Sequence, residues 1–260
     1  MKARQFLMYS VLSLMVAMGM TSCVMTCNRS FDIIGDPIVE WRQVSNFERI
    51  EILGSPTVVY TQADTFGVRV EGPDNLIPRI LTNTEDGTLY VRNKGKMGII
   101  NLTIGDKSDV TVYVSSPDLV SVLVNGSGDF ISRKPIDTDV MNLVLRGSGD
   151  IDIENMLCDT CTTELVGSGD VNINHLDAQT STAVLIGSGD IKISQANVKD
   201  TDLSLRGSGD IAINFGEGCQ SAQCKLEGSG DITLKGTLTH YDGHKRGSGD
   251  IDIDDLSIRK

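Results

Sequence analysis

Seven aspartates recur along the chain at intervals of 19 to 21 residues: Asp129, Asp150, Asp170, Asp190, Asp210, Asp231 and Asp250. Each closes a Gly-Ser-Gly-Asp motif, and the motifs start at Gly126, Gly147, Gly167, Gly187, Gly207, Gly228 and Gly247. Carboxylates repeated in this way can do three kinds of chemistry. They can accept backbone N–H bonds in a turn. They can bridge Ca²⁺ between neighbouring copies. They can act as acid and base in cleaving a polysaccharide. Every copy carries the aspartate, as a turn requirement would produce, whereas a catalytic constellation should break the repeat. Turn acceptor is therefore the leading reading, and Asp150, Asp170, Asp190 and Asp210 stand as weak metal candidates. The calcium-binding β-roll does not apply, because its glycine-rich unit recurs about every nine residues.

Cysteine and histidine supply the other candidates. Cys158-x-x-Cys161 and Cys219-x₄-Cys224 resemble two halves of a four-thiolate zinc site. Cys158 and Cys219 each lie nine residues before a Gly-Ser-Gly-Asp, three copies apart. At one strand spacing per copy that is about 14 Å, too far for one tetrahedral ion. Cys161 and Cys224 read as small core residues, and a local disulfide within either pair is compatible with export. Of the three histidines, only His240 and His244 are close in sequence. They read as a solvated loop. No catalytic residue and no cofactor is assigned.

The flanks of the motif show which elements position these groups. Leu143 and Leu145 precede one copy and Ile151 and Ile153 follow it; Ala183, Leu185, Ile191 and Ile193 do the same two copies on. Both flanks alternate with period 2, which is the signature of strands. The two glycines keep the phase of the apolar set, so they mark an inward bend that leaves little room for a Cβ. A period near 20 residues is the mark of a solenoid. The expected fold is an all-β, single-stranded parallel β-helix with about 20 residues per coil, right-handed as parallel crossovers are. Ile50, Ile52, Gly54, Pro56 and Val58 fit the same phase, so residues 41–120 read as degenerate coils before the regular coils of 121–260. Within them, strands are expected near 68–70, 89–91, 102–104 and 110–114, with a short helix near 74–81. The last copy is atypical, with Gly243 and Lys245 at inward places, as terminal repeats are.

Composition narrows the function. The net charge of −12 excludes an electrostatic nucleic-acid binder. Apolar residues at 40% exclude wholesale disorder. Aromatics are scarce on the regular coils, so a glycan site belongs with Trp41, Tyr60, Tyr90 or Tyr113 in the N-terminal half.

Residues 1–22 hold Lys2 and Arg4, an apolar run from Phe6 to Met20, and small residues before Cys23. This is the layout of a signal peptide. Met20-Thr21-Ser22-Cys23 resembles a lipobox, which implies cleavage before Cys23, lipidation of its thiol and a tether over 23–40. Removing 1–22 takes the net charge from −12 to −14. The expected address is the cell envelope, as an outer-membrane lipoprotein on either face.

The run from Phe47-Glu48-Arg49-Ile50 through Glu85-Asp86-Gly87-Thr88-Leu89 and Ser116-Pro117-Asp118-Leu119 to the Gly-Ser-Gly-Asp-Ile repeats resembles a known family. It is similar to the putative auto-transporter adhesin, head GIN domain family of exported Bacteroidetes lipoproteins. The resemblance implies a β-helix on an exported protein and supplies no catalytic residues. The expected function is a membrane-anchored binding or adhesion module whose partner is a glycan or protein on another surface. The alternatives are a polysaccharide-cleaving enzyme on a β-helix and a passive spacer.

Overall fold

The computed structural model describes residues 35–94 and 110–259. The signal segment, Cys23 and the strand expected at 102–104 lie outside the described residues. The described chain is a β-solenoid with its coils about 20 residues apart, built from a 14-stranded and a 10-stranded sheet.

One coil shows the construction. Val140–Gly147 lies in the 10-stranded sheet. The chain bends at Ser148 and Gly149, enters the 14-stranded sheet as Asp150–Ile153, turns again, and adds Met156–Leu157. A last corner at Cys158 and Asp159 leads into Thr160–Gly167, which pairs in parallel with Val140–Gly147. The register places like on like: Leu145 beside Leu165, Gly147 beside Gly167, Ile151 beside Val171. Met141, Leu143, Leu145, Ile151, Ile153, Met156, Cys158 and Cys161 fill the interior, while Asn142, Arg146 and Ser148 face water. The period-2 pattern thus sorts apolar from polar in every coil.

The glycines are needed for a reason the sequence did not show. The expected obstacle was the interior, but the real obstacle lies along the solenoid axis. A Cβ on Gly169 would overlap the carbonyl of Gly149 in the preceding coil, and one on Gly167 would overlap the carbonyl of Gly147. The first glycine of each motif also holds φ between +134° and +148°, which side chains rarely adopt. The close approach makes a bond. The Gly147 carbonyl accepts the N–H groups of both Ser168 (2.9 Å) and Gly169 (3.2 Å); both bonds recur at Gly54, Gly126, Gly187, Gly207 and Gly228, and Gly167 accepts from Ser188.

The N-terminal third does not stack in chain order. Arg49–Gly54 pairs with Ser121–Gly126 on one side and Thr88–Asn93 on the other. Thr57–Gln62 lies likewise between Asp129–Ser132 and Thr111–Ser116. The first coil in sequence is therefore the second in space. Gly54 beside Gly126 confirms the phase read for Ile50 to Val58.

Thr88–Asn93 and Thr111–Ser116 still pair with this coil in parallel, but beyond them the pairing is antiparallel, not parallel as expected. Ile80–Glu85 and Thr88–Asn93 form a hairpin, turned at Asp86 (φ +48°) and Gly87 (φ +73°). Gly67–Pro73 runs antiparallel to Thr111–Ser116, and Pro37–Arg42 runs antiparallel to Gly67–Pro73. A two-residue turn can only join antiparallel neighbours, which accounts for the hairpin; the other two pairs are joined by long connections that leave either direction open. The helix expected near 74–81 is a single 3₁₀ turn, Ile77–Arg79.

At the other end, Tyr241 folds over Gly243, where a Cβ would meet its hydroxyl. Lys245 forms an ion pair with Asp250. Charged side chains blunt this edge, as expected of a terminal repeat.

Gly169→Val is expected to destabilise the fold by about 2 kcal/mol or more, through backbone overlap in mid-stack. Ser168→Val, on the exposed neighbour, should cost under about 1 kcal/mol. Chemical denaturation of both variants checks this. Equal losses would mean that the axial contact at the bend does not set the stack.

Candidate functional site

The repeated aspartates form one column on the 14-stranded sheet. Asp150 pairs with Asp170, Asp170 with Asp190 and Asp190 with Asp210. Their carboxylates are committed to the stack. Oδ1 of each accepts the backbone N–H of the aspartate one coil on: Asp129 to Asp150 at 3.2 Å, Asp150 to Asp170 and Asp170 to Asp190 at 3.1 Å, and Asp190 to Asp210 at 3.3 Å. The column continues through Asp231 (2.9 Å) to Asp250 (2.7 Å). The acceptor role read from sequence is present, but it acts between coils and not within one turn. A hydrogen bond to a charged group contributes about 1.5–3 kcal/mol. Repulsion between exposed carboxylates about 5 Å apart costs about 1 kcal/mol before salt screening. The bond wins, so a column of like charge can stand. Among the described residues, no group of three or more His, Cys, Asp or Glu side chains is placed to hold a metal ion.

Cys161 and Cys224 occupy the interior as read, and Cys158 and Cys219 are buried with them. Cys158, Cys161, Cys219 and Cys224 are buried free thiols. Cys158 and Cys161 touch: a hydrogen bond from Cys161 draws the Cys158 thiol below its usual range and pushes that of Cys161 up. Cys219 Sγ reaches the Gln195 carbonyl at 3.5 Å. Burial, with Asp202 and Asp242 nearby, pushes Cys224 up to about 12, so it is a poor nucleophile. His244 lies 3.6 Å from Asp242, with both side chains in water.

Tyr60 is not available to any ligand. It is fully buried, stacked on Phe130 with centroids 6.0 Å apart, and its hydroxyl lies 3.0 Å from Ser116 Oγ. Burial pushes its pKa up to about 12.

Two outward features remain. The first is a shallow hollow of about 300 Å³ on the 10-stranded sheet, lined by Val184, Ser204, Gln223, Lys225, Asp242 and His244 among others. The second is a row across the N-terminal end of the 14-stranded sheet. Trp41 lies beside Arg69, Arg69 beside Tyr113, Tyr113 beside Val59, and Val59 beside Ile131. The Arg69 guanidinium covers the Tyr113 ring at 4.1 Å and pairs with Glu71. Trp41, at the end of the row, is 71% exposed. Sequence reading found Trp41 and Tyr113 but not their alignment, because the antiparallel pairing that aligns them leaves no trace in the repeat.

The family model described as putative auto-transporter adhesin, head GIN domain, matches residues 46–219. No curated protein matches the chain. Among solved structures, a crystal structure described as a putative adhesin from Bacteroides fragilis is 25% identical. The alignment covers 84% of this chain and 96% of that one, with a TM-score of 0.70. A putative adhesin from Parabacteroides distasonis is 20% identical, with 84% and 97% covered and a TM-score of 0.67. A protein of the same organism described as a putative lipid binding protein is 22% identical, with 87% and 98% covered and a TM-score of 0.61.

Replacing Asp170, Asp190 and Asp210 together by Asn should leave the fold intact, since the amide oxygen still accepts the next coil's N–H. Melting temperature should hold or rise slightly at low salt, as repulsion is removed. Replacing the same three by Ala should lower stability by about 1 kcal/mol per bond lost. A calcium-dependent rise in melting temperature that the Asn variant loses would overturn the structural role and make the column a metal site.

Proposed function

Because the chain belongs to the auto-transporter adhesin, head GIN domain family, we propose that it is an exported, lipid-anchored binding module of the cell envelope, with adhesion as its activity. One observation supports binding over catalysis. The residues that repeat are spent on the stack, the glycines on axial contacts and the aspartates on the next coil's amide. Recognition then falls to outward residues that differ from coil to coil, held on a rigid wall. Among the described residues, the hollow that holds Asp202 and Asp242 is shallow and open to solvent. Cys23 provides the anchor in this reading, with the lipid chains holding the mature protein on the membrane. Among the described residues, no helix is long and apolar enough to cross a bilayer.

Cys23→Ser should move the protein from the membrane to the soluble fraction, and the wild-type N-terminal peptide should carry the mass of a lipid. Wild-type protein that stays with membranes and bears no lipid mass would remove the anchor. Adhesion is tested on arrays of glycans and matrix proteins. The soluble Cys23→Ser chain should bind at least one surface and should compete with whole cells for it. No binding on any surface, together with unchanged attachment of a deletion strain, would overturn the adhesive reading.

A further inference from the structure

The exposed apolar side chains of this protein are unevenly placed. Among the described residues, Ile38, Val39, Trp41, Val140, Leu157, Ile186, Ile253 and Ile258 are the large apolar side chains open to water. Three of these eight lie on one strand, Pro37–Arg42, and the sole tryptophan is the most exposed of all at 71%. Among the described residues, that strand is one edge of the 14-stranded sheet. It is apolar on both sides. Val39 and Trp41 share a face with Arg69 and Glu71, while Ile38 shares the opposite face with Val68 and Val70.

Its charge is also unusual for a chain of net −12. Glu40 and Arg42 pair at 3.2 Å, and Arg69 pairs with Glu71 on the next strand. The two outermost strands are therefore each neutral. The strand also begins 14 positions after Cys23. Extended chain of that length reaches at most about 50 Å, so an acyl group on Cys23 would keep this strand close to the bilayer it enters.

We propose that the edge strand Pro37–Arg42 docks on the lipid surface to which the chain is anchored, with Trp41 and Val39 seated at the headgroup level. The proposal rests on the anchored reading given above. A lipid interface fits three features together. Tryptophan and short apolar side chains favour this zone. A fluid medium can contact both faces of an edge, whereas a stacked sugar would use one. The second ring of the row, Tyr113, is already covered by Arg69. Neutral outer strands let this part of an acidic body approach an anionic leaflet. Docking must be shallow. Among the described residues no strand pairs with its outer edge, and hydrocarbon cannot satisfy backbone groups left there, whereas water and headgroups can. The tether supplies the high local concentration that a contact of three side chains needs. The consequence is orientation: one end of the solenoid is laid against the membrane.

The single tryptophan makes the test direct. Full-length protein purified from membranes is reconstituted in vesicles of phosphatidylethanolamine and phosphatidylglycerol, and the mass of its N-terminal peptide is read on the same sample. Trp41 emission should shift to the blue relative to soluble Cys23→Ser protein, with severalfold less quenching by acrylamide. Lipids spin-labelled near the headgroup should quench it more than lipids labelled near the chain end. Val39→Asp, which keeps the fluorophore, should abolish the shift while its melting temperature stays close to wild type. If the lipid mass is absent, the anchor reading fails, and the same emission is read on protein coupled through Cys23 to a lipid headgroup, in a Cys27→Ser background. The docking inference is overturned if emission and quenching in vesicles equal those in buffer. It is also overturned if Trp41 is already protected in a dimer of the soluble chain, or if a polysaccharide shifts its emission and vesicles do not.

Discussion

The structure depends on one contact, the approach of the Gly-Ser-Gly bend to the bend of the preceding coil. Two successive N–H groups converge on a single glycine carbonyl, and no side chain fits between the coils at either glycine. This contact sets the rise of the coil at its sharpest corner. Once it is set, strands on both sides of the bend fall into register, and apolar residues stack on apolar residues without further instruction. The repeat is therefore a constraint on backbone geometry first and a hydrophobic pattern second. A leucine in the interior can become alanine or cysteine, as at Ala183 and Cys224 beside Leu203. The bend admits no such variation over its seven copies.

The aspartate column follows from the same bend. Past the second glycine, the chain swings from one sheet to the other, and the first N–H of the new strand faces the coil below. A carboxylate reaching up from that coil satisfies it. Placing like charges in a column is tolerable because they lie at the surface, where water screens them, and because each is held by a backbone dipole. The same economy explains why an acidic repeat need not be a metal site. Calcium requires six to eight oxygens closing around one point. A column that offers Oδ1 to an amide at every step commits one of the two oxygens of each carboxylate to the stack.

The regular coils were legible in the sequence because each obeys a local rule twenty residues later. Period, phase, inward residues and the fit of Gly54 to Gly126 could all be read from the alternation and the bend. What was not legible lies where the rule stops. The antiparallel hairpin at Asp86-Gly87 is a two-residue turn signal, but the repeat invited a parallel reading. The interleaving of Arg49–Gly54 between Thr88–Asn93 and Ser121–Gly126 depends on a long-range choice that no local pattern records. Tyr60 stood among the candidate glycan aromatics although it continues the inward phase of Ile50 to Val58; only the identity of its partners, Phe130 and Ser116, depends on long-range pairing. The row from Trp41 to Ile131 was hidden for the same reason. Its members come from five strands spread over 91 positions, and only the pairing brings them together.

A solenoid has two ends, and each must deal with an open sheet edge. This chain treats them differently, and the difference carries functional information. At the C-terminal end, Tyr241 covers the space over Gly243, Lys245 pairs with Asp250, and Asp252, Asp254 and Asp255 crowd the last turn. Charge dominates this end, although Ile253 and Ile258 also reach water. At the N-terminal end, the last strand carries isoleucine, valine and tryptophan in the open, and its charges cancel in pairs. Nothing about closing the stack requires this, because antiparallel pairing with Gly67–Pro73 already ends the parallel ladder. In the docking proposal, this neutral edge is the part of a chain of net −12 that meets the membrane. The stack thus differs between its ends: one edge strand is neutral and opens three large apolar side chains to water, while the other end mixes two with a cluster of charge.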